Sequence, residues 1–365
     1  MKSIYAKYAD LLTHYCIKAK QGEKVLIKSS YLAEPLLKEL IRSIGEAGAL
    51  PIFDIEFQDQ QFLHLKYVSE EMLSWQNPTA VMNMEQINGY ISILSSFNLR
   101  SVQAANPSKR AAAQTGNANA SALYMKRTGN FELKRTLCLF PTPAAAQEAG
   151  MSLTDYEYFV FNACKLHAPN PEQEWKNLSL NQQKIVDHLN TCSNIQYKGP
   201  NIDVQFSTKG RTWINSDGQT NMPSGEVYTA PVEDSVNGYV KFSIPGLYFG
   251  KEARDIELWI ENGNVVKWDA SQGKELLDEV FEIPGARVFG EAAIGTNSDI
   301  QTMTRNILFD EKMGGTIHMA VGQSYPQCGG KNNSNVHWDM ITHMTNDSHI
   351  LADGNKIYEN GKFIL

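Results

Sequence analysis

At 365 residues the chain is long for one hydrophobic core and fits two domains better. Its apolar share of 42% and charged share of 20% exclude a disordered or fibrous protein. The formal charge of −7 argues against a general affinity for nucleic acid or anionic membrane, both of which need a basic face.

The opening "MKSIYAKYADLL" has no apolar leader, and no run approaches membrane-spanning length, so a cytoplasmic protein is expected. The 5 cysteines (Cys16, Cys138, Cys164, Cys192 and Cys328) are odd in number, scattered and never spaced C-x-x-C. That pattern speaks against a disulfide framework and a thiolate zinc site.

From the N-terminus, helix and strand alternate. "KYADLLTHYCIKA" places Tyr8, Leu11, Leu12, Tyr15 and Cys16 on one helical face, and "KVLIKSS" comes next as a strand. "EPLLKELIRSIGEAGA" predicts a second amphipathic helix, and "LPIFDIEF", "GYISILSS" and "RTLCLFPTP" predict further strands. This alternation implies an α/β layer built on a mostly parallel sheet. Neither G-x-G-x-x-G nor G-x-x-x-x-G-K-[ST] occurs, so the layout implies no nucleotide.

"NPEQEWKNLSLNQQKIVDHLNTCSN" reads as a polar linker running into a helix, after which the texture changes. From "IDVQFSTKGRTWINSDG" to the C-terminal "NKIYENGKFIL" the chain alternates as strands, broken by turn signals at Asp217-Gly218, Asn237-Gly238 and Asn262-Gly263. The helix "GKELLDEVFEI" interrupts them. The expected division is an α/β domain over 1–185 and a β-rich domain over 186–365.

Chemistry gathers in that second half. On a strand, residues two apart share a face, so "NVHWDMI" sets His337 beside Asp339 and turns Trp338 away. An imidazole nitrogen and a carboxylate oxygen so spaced can reach one divalent ion. His318 lies in the apolar strand "TIHMAV", and Tyr325 comes after Gly322, which can turn the phenol toward the same pocket. Glu226 and Glu291 each come directly after a glycine, which permits close backbone approach beside a site. Carboxylates also suit a second ion, since each can bridge cations about 3.5–4 Å apart.

Each residue also has an ordinary reading. A lone histidine is usually a hydrogen-bonded core or surface group, an aspartate often only orients a structural histidine, and single glutamates are mostly solvated strand ends. No H-E-x-x-H anchors the set, and spacing alone leaves the question open. "GQSYP" misses the nucleophile elbow because Pro326 replaces the second glycine. Cys328 reads as a small buried residue. Asp310, Glu311 and Lys312 in "LFDEKMGG" read as an exposed turn, with an orienting role beside the ions left open. His14, His64, His167 and His188 show no ligand spacing.

The blocks "PSGEVYTAPVEDSVNGYV", "FGEAAIGTN", "NILFDEKMGGTIHMAVGQSYP" and "HWDMI", in that order, resemble the aminopeptidase T (M29) family of metallopeptidases, as does the opening "KYADLLTHYCIKAKQGEKVLIKSSYLAEPLLKEL". The resemblance implies an α/β N-terminal domain and a β-rich, barrel-like C-terminal domain that carries the metals. It further implies a metallo-aminopeptidase acting on peptides as a homodimer. Two divalent ions, zinc, cobalt or manganese, would be held by Glu226, Glu291, His318, Tyr325, His337 and Asp339. Glu291 is the expected proton carrier, provided that one of its oxygens stays free. Two alternatives stand beside this reading. One is a ring-cleaving dioxygenase with a single iron on the same scaffold, and the other is a binding protein in which metals only staple the β-domain.

Overall fold

The structure is a computed structural model that describes residues 2–103 and 105–365. It divides into two compact units, Met1–Glu172 with Gly218–Pro223, and Gln173–Asp217 with Ser224–Leu365.

The first unit is the expected α/β layer. Its sheet has the order Leu50–Glu56, Lys24–Ser30, Gly89–Leu94, Lys134–Leu139 and Asn221–Met222, and every pairing is parallel. Parallel strands bury both faces, which is why Val25, Leu26, Ile27, Ile91 and Ile93 run apolar and are all buried. The helix Glu34–Glu46 buries Leu36, Leu40, Ser43 and Ile44, one stripe at helical spacing. The first helix, Ile4–Asp10, widens into a π-helical turn over Leu11–Cys16, where the Ile17 amide donates to the Leu12 carbonyl at 3.1 Å.

The stretch "NPEQEWKNLSL" is no linker: Pro171–Leu189 is helical throughout. Proline is tolerated in the first helical turn, and Trp175, Gln182, Ile185, Val186 and Leu189 form a buried stripe along the helix. Asn237-Gly238 is likewise not a turn, because it begins the strand Asn237–Phe242. Asn262-Gly263 does turn the chain between Ile256–Glu261 and Asn264–Asp269, both residues having positive φ.

The second unit holds two larger antiparallel sheets. One has eight strands, from Asn264–Asp269 at one edge to Lys362–Phe363 at the other. The second has five, in the order His337–His343, Thr316–Gly322, Phe289–Gly295, Glu226–Thr229 and Ile214–Ser216. Side chains from both sheets fill one core, where Val204, Val240 and Leu258 join Ile317, Met319, Val321, Trp338 and Met340. No described helix is long and apolar enough to cross a membrane.

Candidate metal centre

The five-stranded sheet presents two chemically distinct faces. In the strand Thr316–Gly322, Ile317, Met319 and Val321 enter the core, so His318, Ala320 and Gly322 take the opposite face. Register then assembles the site. Ala320 pairs with Asp339 on one side and with Glu291 on the other, Gly322 pairs with His337, His318 pairs with Ala293, and Glu226 pairs with Gly295. The long donors therefore stand among residues with little or no side chain, Ala293, Gly295, Ala320 and Gly322, which leave room over the sheet.

Two glycines act as the sequence predicted. Gly225 has φ +115°, and a Cβ there would lie 2.7 Å from that of Asn297. Gly290 lies at an irregular step in the ladder between Phe289 and Glu291, and a Cβ on it would come 2.3 Å from the Gln323 carbonyl oxygen.

All six expected residues converge. His318 Nε2 lies 3.6 Å from Glu226 Oε2 and 3.6 Å from Glu291 Oε1. His337 Nε2 lies 3.2 Å from Glu291 Oε2, 3.5 Å from Asp339 Oδ1 and 3.3 Å from the Tyr325 hydroxyl. His337 Nδ1 is 2.8 Å from the Gln323 carbonyl, an acceptor only. That contact places a ring proton on Nδ1 and turns Nε2 toward the carboxylates. Both Glu291 oxygens face an imidazole, one toward His318 and one toward His337.

Sequence reading misplaced the "DEK" segment. Asp310, Glu311 and Lys312 are not an exposed turn: Lys312 has 0% exposure, and its Nζ contacts Glu311 Oε1 and lies 3.6 Å from Glu226 Oε1. The cause is packing, since Leu308 and Phe309, in the short helix Ile307–Asp310, are buried and draw the charged residues in after them. Asp310 accepts from the Thr304 amide and hydroxyl at 2.7 and 2.9 Å, and burial pushes its carboxyl up to about 6. The available signal was texture, a charged triple held between buried apolar residues and a glycine pair. Gln182 was also missed. Its side-chain nitrogen donates to the carbonyls of Ser216 and Glu226 at 3.2 and 3.0 Å, which fastens the backbone of the latter.

Negative charge dominates the electrostatics. Burial alone pulls the His318 imidazolium down, but Glu291, Glu226 and Asp339 outweigh it and push it up to about 10. At His337 burial acts the same way, and Asp339 and Glu291 push it up to about 11. Burial pushes the Cys328 thiol up to about 12, so it is no thiolate nucleophile.

Such a pocket suits cations, and the donors present fit a metal. Two groups offer one ligand atom per residue, all within 4.8 Å of one another: Glu291, His337 and Asp339, and Glu311, His318 and Asp339. Asp339 belongs to both. Glu226 Oε2, Asp339 Oδ1 and His318 Nδ1 are buried without a hydrogen-bond partner among the described residues, which is costly unless something else meets them. Mixed carboxylate and imidazole donors accept zinc, cobalt or manganese.

The chain also resembles known proteins. The model of the thermophilic metalloproteases (M29) matches residues 1–363. The chain therefore belongs to the M29 family, and it is a metal-dependent peptidase, a hydrolase. Aminopeptidase 2 of Geobacillus stearothermophilus is 27% identical over 352 residues, covering 88% of this chain and 83% of that one. Wild-type AmpT from Thermus thermophilus has a similar fold, with a TM-score of 0.84 at 22% identity over 99% of each chain. A 2,5-dihydroxypyridine dioxygenase from Pseudomonas putida KT2440 shares the fold more distantly, with a TM-score of 0.61 at 13% identity over 100% of this chain and 98% of that one. Fold alone is what these two structural likenesses carry. The family match sets the chain among peptidases rather than oxygenases.

Proposed function

We propose that the chain is an aminopeptidase that hydrolyses the N-terminal peptide bond of peptides, with two divalent cations held by Glu226, Glu291, His318, Tyr325, His337 and Asp339. The observation that carries this reading is the convergence of donors about Asp339, which groups with Glu291 and His337 on one side and with His318 and Glu311 on the other, Glu311 being a further donor beside the six. Family membership supports a metallopeptidase, and relatives such as aminopeptidase 2 support the N-terminal preference.

When bound, a divalent pair supplies Lewis acidity at the scissile carbonyl and a water acidified from about 15.7 toward 7. The chain's own residues set the stage. The Gln323 carbonyl orients the His337 ring so that Nε2 faces the carboxylates. Glu291, with one oxygen toward each imidazole, would be among the residues that hold the pair. Glu291 is also the proposed proton carrier, taking a proton from the attacking water and returning it to the leaving amine. That second role requires it to give up one imidazole-facing contact in the loaded site. The protein is proposed to work in the cytoplasm as a homodimer, with zinc, cobalt or manganese as the metal.

A panel of aminoacyl-p-nitroanilides tests the reading, assayed with the purified chain before and after a chelator and after adding back each metal. Expected are hydrolysis of substrates with a free α-amine, no hydrolysis of their N-acetylated counterparts, loss with chelator and recovery with metal. No hydrolysis of any member by the metal-loaded chain would overturn it, and would favour a protein in which the metals only staple the β-rich unit.

A further inference from the structure

Lys312 has no part in the ligand set, yet it is a fully buried ammonium inside it. Its Nζ touches Glu311 Oε1 and lies 3.6 Å from Glu226 Oε1, and its side chain has no exposure to water. Burying a lysine charge is strongly unfavourable unless opposite charges surround it. Here those charges are two carboxylates of the metal centre itself. Among the described residues it makes no ion pair with Glu291 or Asp339.

The two donor groups thus differ in one respect. Glu311, in the group with His318 and Asp339, is already in contact with a cation, and so is Glu226 beside it. Among the described residues, no carboxylate in the group of Glu291, His337 and Asp339 pairs directly with Lys312, whose charge reaches that group only at longer range through the shared Asp339. A divalent ion approaching the former must share Glu311 with the ammonium and meet its positive charge at short range in a buried site, where such repulsion is poorly screened.

We propose that Lys312 is a resident cation of the centre that makes its two metal positions unequal: Glu291, His337 and Asp339 hold an ion tightly, while Glu311 and His318, with the shared Asp339, hold a second one weakly and exchangeably. This rests on the two-ion reading above. Lys312 acts through the carboxylates and is a positioning residue. A merely structural role, fastening the turn after Ile307–Asp310 to the sheet, would change melting temperature but would leave the ratio of the two affinities where it was.

The test is titration of the metal-stripped full chain with Co2+, monitored by calorimetry and by the visible absorption of the bound ion. The wild type is expected to show two classes, the second weaker by on the order of 100-fold. Lys312→Met should tighten the second class roughly tenfold or more and leave the first unmoved, whereas Lys312→Arg, which keeps the charge, should preserve the gap. One ion in the wild type and two in Lys312→Met would support the proposal as well.

Two equal classes in an active wild type would overturn it while leaving the two-ion enzyme standing. So would a second class that weakens in Lys312→Met. One ion in both proteins would overturn the two-ion reading and this proposal with it. Should Lys312→Met fail to fold, the wild type and Lys312→Arg still decide the matter, because equal classes in either overturn it.

Discussion

The two faces of the five-stranded sheet are made by the same strands and could hardly differ more. One face, with Ile317, Met319, Val321, Trp338 and Met340, belongs to the core and holds the unit together. The other, one residue out of phase, carries His318, His337, Asp339, Glu291 and Glu226 among alanines and glycines. The strands Phe289–Gly295 and Thr316–Gly322 are buried on both faces, so the charged groups are shut in at the expense of hydration. The difference teaches that stability and chemistry are separable here by parity of position, and substitutions on each face should fail in different assays.

The largest effect is expected at Asp339, the donor common to both groups. Asp339→Asn should lower kcat/KM by on the order of 1,000-fold and reduce bound metal, while the far-ultraviolet dichroism of the folded chain stays unchanged. Full activity with full metal content would remove Asp339 from the site. Met319→Ala, on the opposite face of the neighbouring strand, should do the reverse. A loss of about 2–5 kcal/mol in denaturant unfolding is expected, with turnover per folded molecule preserved.

Ala320→Leu sharpens the comparison, because it places a large apolar group on the chemical face between Asp339 and Glu291. Metal content should drop together with a destabilisation of about 1–3 kcal/mol from overpacking, and unchanged metal uptake would show that the space above Ala320 is not used. Tyr325→Phe is the mildest. Removing the hydroxyl 3.3 Å from His337 Nε2 should lower kcat by about tenfold, equivalent to about 1.4 kcal/mol, without loss of fold.

Much of this was legible in residue order. Period-two alternation put His337 and Asp339 on one side of a strand and Trp338 on the other, as found, because a strand enforces that parity regardless of its neighbours. The helix–strand alternation of the first unit was legible for the same kind of reason. What could not be read was whatever depends on register between strands distant in sequence. The meeting of Glu226, Glu291 and His318 is set by pairings between strands far apart in the chain, and spacing along the sequence is silent about them. Lys312 was misread because a charged triple before Gly314-Gly315 has the composition of a solvated turn, and only the burial of Leu308 and Phe309 reverses that expectation. The polar stretch after Asn170 was misread because the few buried positions of Pro171–Leu189 are spread thinly among solvated ones.

Asp339 also has a temporal meaning. It sits on His337–His343, which is the last-made strand of its sheet and lies at that sheet's edge, so neither donor group exists until ribosomal synthesis has passed residue 343 and that strand has docked. In the interval before capture, Lys312 is a buried positive charge in contact with the waiting carboxylates Glu226 and Glu311.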